Sequence, residues 1–243
     1  MEWYVCIDDT DSIDSRGTGE LAEIIARFIE EEQWGKVGKV TRHQLLVHKD
    51  IPYTSHNSAM CFPIYEVNRE AKDLIIPFIE NFLKNESAPG SDPGLCVADK
   101  MQLIKEPSLI KFGNKAKIQV LTKEEAYSLA KLCNVHLSEH GGTGQGIIGA
   151  IAGVGLRLSG NDGRFKGKYI LPEYTTYRVS DIIAKTGIDR IQTKDGQVVP
   201  NDGLVKVDQP IKTVLLESME TLLVQEAELD TWKIVGKQDL RSY

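Results

Sequence analysis
An unbroken apolar run, Trp3-Tyr4-Val5-Cys6-Ile7, stops at Asp8-Asp9-Thr10-Asp11-Ser12, and Arg16-Gly17-Thr18-Gly19 then opens an amphipathic segment. The run is short and rich in β-formers, so it reads as a buried strand followed by a helix. Three carboxylates fall within four positions where that strand should end. Like charges this close repel, and each tends to stay protonated unless a cation neutralises it. A hard cation such as Mg²⁺ takes oxygen ligands and shares them with substrate phosphates. The glycines and hydroxyls that follow lead into a helix N-terminus, whose N–H groups attract anions. The segment therefore reads as a nucleotide-handling centre. Asp8, Asp9 and Asp11 are its candidate metal ligands and catalytic groups, and Thr10, Ser12, Arg16, Gly17 and Gly19 its candidate nucleotide-binding residues. Asp, Ser, Thr and Gly are also ordinary turn and cap residues, and it is the clustered charge that carries the functional reading. Thr18 is open to both readings, a plain N-cap or a hydroxyl poised beside phosphate and metal.

Bulk properties bound the rest. At 243 residues, 41% hydrophobic and 26% charged, the chain has the composition of a soluble globular protein with one large or two smaller domains. It holds no apolar run long enough for a membrane span, and its first residues lack the basic stretch of a signal peptide. Cys6, Cys61, Cys96 and Cys133 are widely spaced with no CxxC pair, which argues against a zinc ribbon or a disulfide framework and for a reducing cytoplasm. A net charge of −6 and a pI near 5.5 count against a large RNA partner.

Along the chain, Leu21, Ile24, Ile25, Phe28 and Ile29 form the stripe of a helix ending near Gly35. Residues 36–47 and 57–67 read as strands. Arg42, His43 and the histidine- and hydroxyl-rich residues 48–57 suit a substrate loop, or merely a polar one. Residues 68–84 read as a helix, 85–94 as a turn-rich loop and 95–98 as a strand, with Asp99 and Lys100 at its end, a place for site residues in an open sheet. A strand over 117–121, a helix capped by Thr122 and running to about Cys133, and a strand over 134–137 follow. Gly144, Gly146 and Gly149 then match GxGxxG at a helix start. No acidic residue follows at the distance a dinucleotide fingerprint needs, so the stretch reads as an anion-friendly helix N-terminus. Beyond Gly160, turns at 161–163 and 195–196, a short helix over 179–188 and a Val/Ile/Leu-rich segment over 204–216 indicate a smaller α+β region or an extension of the main sheet.

At Ile7-Asp8-Asp9-Thr10-Asp11-Ser12, and again at Gly144-Gln145-Gly146-Ile147-Ile148-Gly149-Ala150, the chain resembles the archaeal tRNA-Ile agmatinylcytidine synthetases. Gly17-Thr18-Gly19, residues 51–58 and Asp92-Pro93-Gly94 are weaker counterparts of that family's motifs. The resemblance implies an α/β fold, with a kinase-like ATP- and Mg²⁺-binding domain over 1–120 and a ferredoxin-like α+β domain over 121–243. It implies an ATP-dependent ligase that releases AMP and pyrophosphate and activates a carbonyl as a phosphoryl ester for attack by an amine. Asp8, Asp9 and Asp11 would then handle metal and phosphate, Thr18 would match a self-phosphorylated threonine, and Gly144, Gly146 and Gly149 would frame phosphate.

The departures are specific. Gly17 and Gly19 replace the family's cysteine and second threonine, and Thr54 and His56 replace the lysine and arginine of its I-P loop. No counterpart of the family's OB-fold and zinc ribbon is present. These losses, with the acidic pI, point to ATP, an amine and a nucleobase or small-molecule acceptor as partners, and weaken tRNA. Two alternatives stay open: a Mg-nucleotide sensor without turnover, and a phosphatase using Asp9 and Asp11.

Overall fold
The computed structural model describes residues 1–51, 57–103, 107–227 and 231–243. β1 (Trp3–Asp8) is buried along its whole length and forms the centre of the first sheet. Its alternating side chains enter two different cores. Trp3, Val5 and Ile7 pack on one side with α1 (Thr18–Glu31) and, further along the chain, α2 (Lys72–Glu86). Tyr4 and Cys6 pack on the other side. Such burial stabilises by about 1.5–3 kcal/mol per large aliphatic side chain, before chain entropy is set against it.

Between α1 and α2 lie β2 (Lys36–Val37), β3 (Thr41–Gln44) and β4 (Ser58–Tyr65). The single strand expected over 36–47 is interrupted at Gly38, where an added Cβ would lie 2.6 Å from Pro63. After α2 come β5 (Gly94–Asp99), α3 (Lys100–Leu103), α4 (Ser108–Ala116), α5 (Lys123–Cys133), β6 (His136–Glu139) and α6 (Gly146–Ser159). Strand order is β6-β5-β1-β4-β3, with β2 also on β4, and every pairing is antiparallel. β1, α1, β3, β4, α2 and β5 thus reproduce the β-α-β-β-α-β connectivity of ferredoxin-like folds. This pattern lies in residues 3–99, ahead of the span over 121–243 where it was expected.

Residues 117–121 are not a strand. They are the turn that follows α4, a helix the sequence pattern does not announce, and Ile118 and Val120 are exposed there. The Thr122 cap is present as a full capping box with Glu125. The remaining layer is α4, α5 and α6, packed on the Tyr4 and Cys6 side of the sheet. α6 is apolar on nearly all faces, as a helix enclosed by protein must be. Its glycines allow that enclosure. An added Cβ at Gly153 would lie 2.4 Å from Cys6 Sγ, and one at Gly155 would lie 2.0 Å from the Leu109 carbonyl oxygen of α4.

The chain divides into two compact units, Met1–Ser159 and Gly160–Tyr243, rather than at 120/121. The physical reason is that α5, β6 and α6 complete the core around β1 and β5. The second unit holds β7 (Arg164–Phe165), β8 (Thr175–Arg178), α7 (Val179–Thr186), β9 (Arg190–Thr193), β10 (Leu204–Val207), β11 (Val214–Leu216), β12 (Met219–Glu226) and β13 (Thr231–Ile234). Its strands follow the order β7-β11-β12-β13-β10-β8, with β9 parallel to β12, and Val179, Ile182, Ile191, Val205 and Leu222 lie in its core. The whole is a mixed α/β protein, and no described helix is long and apolar enough to cross a membrane.

Candidate nucleotide site
Asp8 ends β1 on the same side of the sheet as Tyr4 and Cys6, and so faces α6. The fit is close. A Cβ at Gly149 would lie 1.6 Å from Asp8 Oδ2, and one at Gly146 would lie 2.0 Å from the Asp92 carbonyl oxygen. These two glycines of the GxGxxG stretch therefore let the start of α6 reach the acidic turn. Gly144 has a different task. It sits at φ +75° in the turn before α6, where a Cβ would strike Glu139. That turn is held by Asp92, which accepts from the Thr143 backbone N–H and, at 2.6 Å, from the Thr143 hydroxyl. Lys123 donates to the Thr143 carbonyl at 2.8 Å and pairs with Glu139 at 2.7 Å.

The chain leaves β1 through Asp9 at φ +52°, a left-handed backbone that a non-glycine residue adopts at a cost. Thr10 is fully buried, and its backbone N–H and hydroxyl donate to Thr18 Oγ1 at 3.4 and 3.1 Å. Thr18 Oγ1 in turn donates to Asp11 Oδ1 at 3.2 Å. Thr18 is thus not the N-cap of α1. Gly17 takes that position, and no side chain caps the helix.

A cavity of about 230 Å³ brings these pieces together. Asp8, Asp9, Asp11, Gly17, Thr18 and Gly19 line it from the acidic turn, and Gln145, Gly146, Ile148 and Gly149 from the start of α6. Two helix N-termini, more than a hundred residues apart in sequence, share one space. Leu45, Met60, Val120 and Leu121 make an apolar wall, and Arg42, Asn57, Ser58 and Gln119 add polar groups. Arg42 is oriented by Nε–H donation to Ser58 Oγ at 2.9 Å and by a hydrogen bond to Gln44 Oε1 at 3.2 Å.

The electrostatics are those of crowded acids. Burial, then the neighbouring Asp9 and Asp11, push the Asp8 carboxyl well above the usual carboxylate range. Burial, then Asp92 and Asp11, raise Asp9 to about 6. Among the described residues no three His, Cys, Asp or Glu side chains converge as a ready-made metal cage. Mg²⁺ does not require one, since it is commonly held by one or two carboxylates together with phosphate oxygens and water. The donor set, all oxygen and short of a cation, fits that kind of site.

Of the other residues singled out in sequence, Ser12 is exposed and Arg16 pairs with Glu86 at the surface, and neither lines the cavity. His43 is buried and bonded to Thr41 Oγ1 at 2.8 Å. Asp99 and Lys100 lie at the opposite end of β1 from Asp8, because β5 runs antiparallel to β1, and Lys100 pairs with Glu2 at 2.8 Å. The open-sheet rule used for them holds for parallel strands. Residues 52–56, which include Thr54 and His56, fall outside the described residues. Asp92, Arg42, Ser58 and Gln119 were not assigned to the site from sequence. Asp92, in its Asp-Pro-Gly step, Arg42, beside a polar loop, and Ser58, at the end of residues 51–58, carried some signal, and Gln119 carried none.

No family model matches the chain, and no curated protein matches it. Solved structures do. A tRNA fluorescent labeling enzyme matches with a TM-score of 0.55 and 26% identity over 74% of this chain and 42% of that one. Apo TiaS, an agmatidine synthetase acting on an isoleucine tRNA, matches at 0.56 and 24% over 83% and 49%. TiaS in complex with that tRNA and ATP matches at 0.57 and 22% over 96% and 58%. The chain thus spans about half the length of the solved proteins it matches. The resemblance carried by residues 7–12 and 144–150 is met by likeness over most of the chain, and the chain has the fold of the agmatidine synthetase TiaS.

Proposed function
We propose that this chain is an ATP- and Mg²⁺-dependent enzyme that activates a carbonyl oxygen of a nucleobase or small-molecule acceptor by phosphoryl transfer, for attack by an amine. The observation that most supports this reading is the meeting of the acidic turn and the α6 start on one cavity. Helix N-termini favour phosphate oxygens, and the apolar wall offers a seat for a base. The solved TiaS complexes, one with tRNA and ATP and one with tRNA, AMPCPP and agmatine, have the same fold and make ATP and an amine reasonable partners.

Asp8 and Asp9, with Asp11 beside them, would hold the cation. Mg²⁺ supplies neutralisation of phosphate charge when bound. Arg42 would add a bidentate donor to phosphate. The Thr18 hydroxyl already donates to Asp11, the arrangement of an acceptor oxygen beside its base.

The test is ATP labelled on the α-phosphate, incubated with Mg²⁺ and protein and resolved into AMP and ADP, with Asp8→Asn and Thr18→Ala alongside. AMP formation that disappears in Asp8→Asn supports the proposal. ADP as the sole turnover product would retire the pyrophosphate-releasing chemistry. Tight Mg-ATP binding without turnover would favour the sensor reading, and no binding at all would overturn the nucleotide assignment.

A further inference from the structure
The second unit contains a cavity of about 450 Å³ whose charge is opposite to that of the first. Lys168, Lys212 and Lys237 line it, together with Gly167, Ile234 and Val235, and no acidic residue does. The chain as a whole carries a net charge of −6, so this concentration of positive charge runs against the composition. Lys212 is half-buried and donates to the Gly167 carbonyl oxygen. Burial, then Arg164, Lys237, Lys168 and Lys166, lowers its affinity for a proton. Arg164 is pushed the same way by burial and by Arg241. Among the described residues none of the three lining lysines forms an ion pair. The buried carboxylate of Glu220 is already engaged by Tyr169 and Thr213, each at 2.8 Å.

Like charges gathered around a concave space, with no carboxylate lining it, repel one another and attract an anion. The shape selects the anion. A concave space lined by Ile234, Val235 and three lysines suits a compact, multiply charged group rather than an extended backbone lying across a groove. Three ammonium groups, one N–H of which Lys212 already gives to Gly167, leave up to eight donors for the acceptor-rich oxygens of phosphate.

We propose that the Lys168–Lys212–Lys237 cavity of the second unit is a phosphate-binding site, separate from the nucleotide site of the first unit. It takes a terminal phosphate or diphosphate group, whether free or at the end of a ribonucleotide chain. The site does not depend on the function assigned to the first unit.

The experiment uses the full chain, uniformly ¹⁵N-labelled, titrated with inorganic diphosphate and, in a parallel arm, with a short 5′-phosphorylated oligoribonucleotide. Amide signals of Gly167 and Val235 report on this site, and those of Thr18 and Gly146 on the other. The expected result is saturable shifts at Gly167 and Val235 that weaken by about tenfold in Lys168→Gln/Lys212→Gln, while responses at Thr18 and Gly146 persist. Saturation by diphosphate supports a free ligand as the source, and saturation by the oligonucleotide alone supports a nucleic-acid terminus. No saturable shift with either probe, or equal affinity in the double variant, overturns the proposal. The exposed Lys168→Gln is the second variant, and it carries the same expectation at smaller size should the double variant fold poorly.

Discussion

The acidic turn and the glycine-rich start of α6 carry similar signals in sequence, yet they contribute to the site in different ways. The turn supplies side chains. Asp8, Asp9, Asp11 and Thr18 bring their functional groups into the cavity. The helix start mostly supplies absence. Gly146 and Gly149 matter because nothing projects from them, and a single added methyl would strike Asp92 or Asp8. A glycine motif can therefore belong to a candidate site by letting another element approach, without supplying a functional group of its own.

Substitutions can break this comparison. The largest effect belongs to Gly149→Ala, which forces Asp8 or α6 to move. Turnover should fall by about a hundredfold or more, with a stability loss of about 1–3 kcal/mol in urea unfolding. Wild-type-like activity would show that the close approach is incidental.

Asp8→Asn separates the two contributions by sign. The folded-state pKa of Asp8 is raised, so its stabilising share is complete below the unfolded value and is lost as pH rises. Burying a carboxyl that the unfolded chain leaves ionised in water is a cost above that value, and asparagine removes it. The variant should melt about 2–4 °C higher while losing Mg-nucleotide affinity by about a hundredfold. A lower Tm would mean that Asp8 is held by contacts the fold needs.

Thr18→Ala removes the hydroxyl that links Thr10 to Asp11. A stability loss of about 1–2 kcal/mol and loss of turnover are expected, with Thr18→Ser restoring most of both. Rescue of stability without turnover would confine Thr18 to a structural part.

Asp9 sharpens the picture in pH. Its carboxyl titrates near 6 against 3.8 in the unfolded chain. The ligand-free protein should lose stability between about pH 4 and 6, and Asp9→Asn should flatten that slope in thermal melts. Cation affinity should rise through the same interval. The smallest effects belong to Ser12→Ala and Arg16→Ala, outside the cavity, with changes within about 0.5 kcal/mol and near-normal turnover.

These contrasts also mark what could be read from residues alone. β1, the helix after it and the capping box of α5 follow from local pattern, and the structure has them where the pattern put them. Residues 117–121 alternate like a strand, but their apolar side chains share no sheet face: Ile118 lies in solvent, while Val120 and Leu121 line the cavity. The hairpin joining β11 and β12 turns at Glu217 and Ser218, both at positive φ, where Asn-Gly would have announced it. Arg42 reached the site through tertiary pairing of β3 with β4, which no local pattern encodes.

The close seating of α6 against Asp8 also has a consequence in time. Gln145 follows Asp8 by 137 positions (145 − 8), so at about 5–20 residues per second the acidic turn waits roughly 7–27 s on the ribosome before its facing wall exists. The β1 strand's sheet partners β4 and β5 are made earlier, but pairings so far apart in sequence form slowly. The nascent chain therefore exposes an apolar strand tipped with charge, and those carboxylates keep it hydrated during the wait. No chain interrupted before residue 145 could form this cavity, so the candidate site exists only when the first unit is whole.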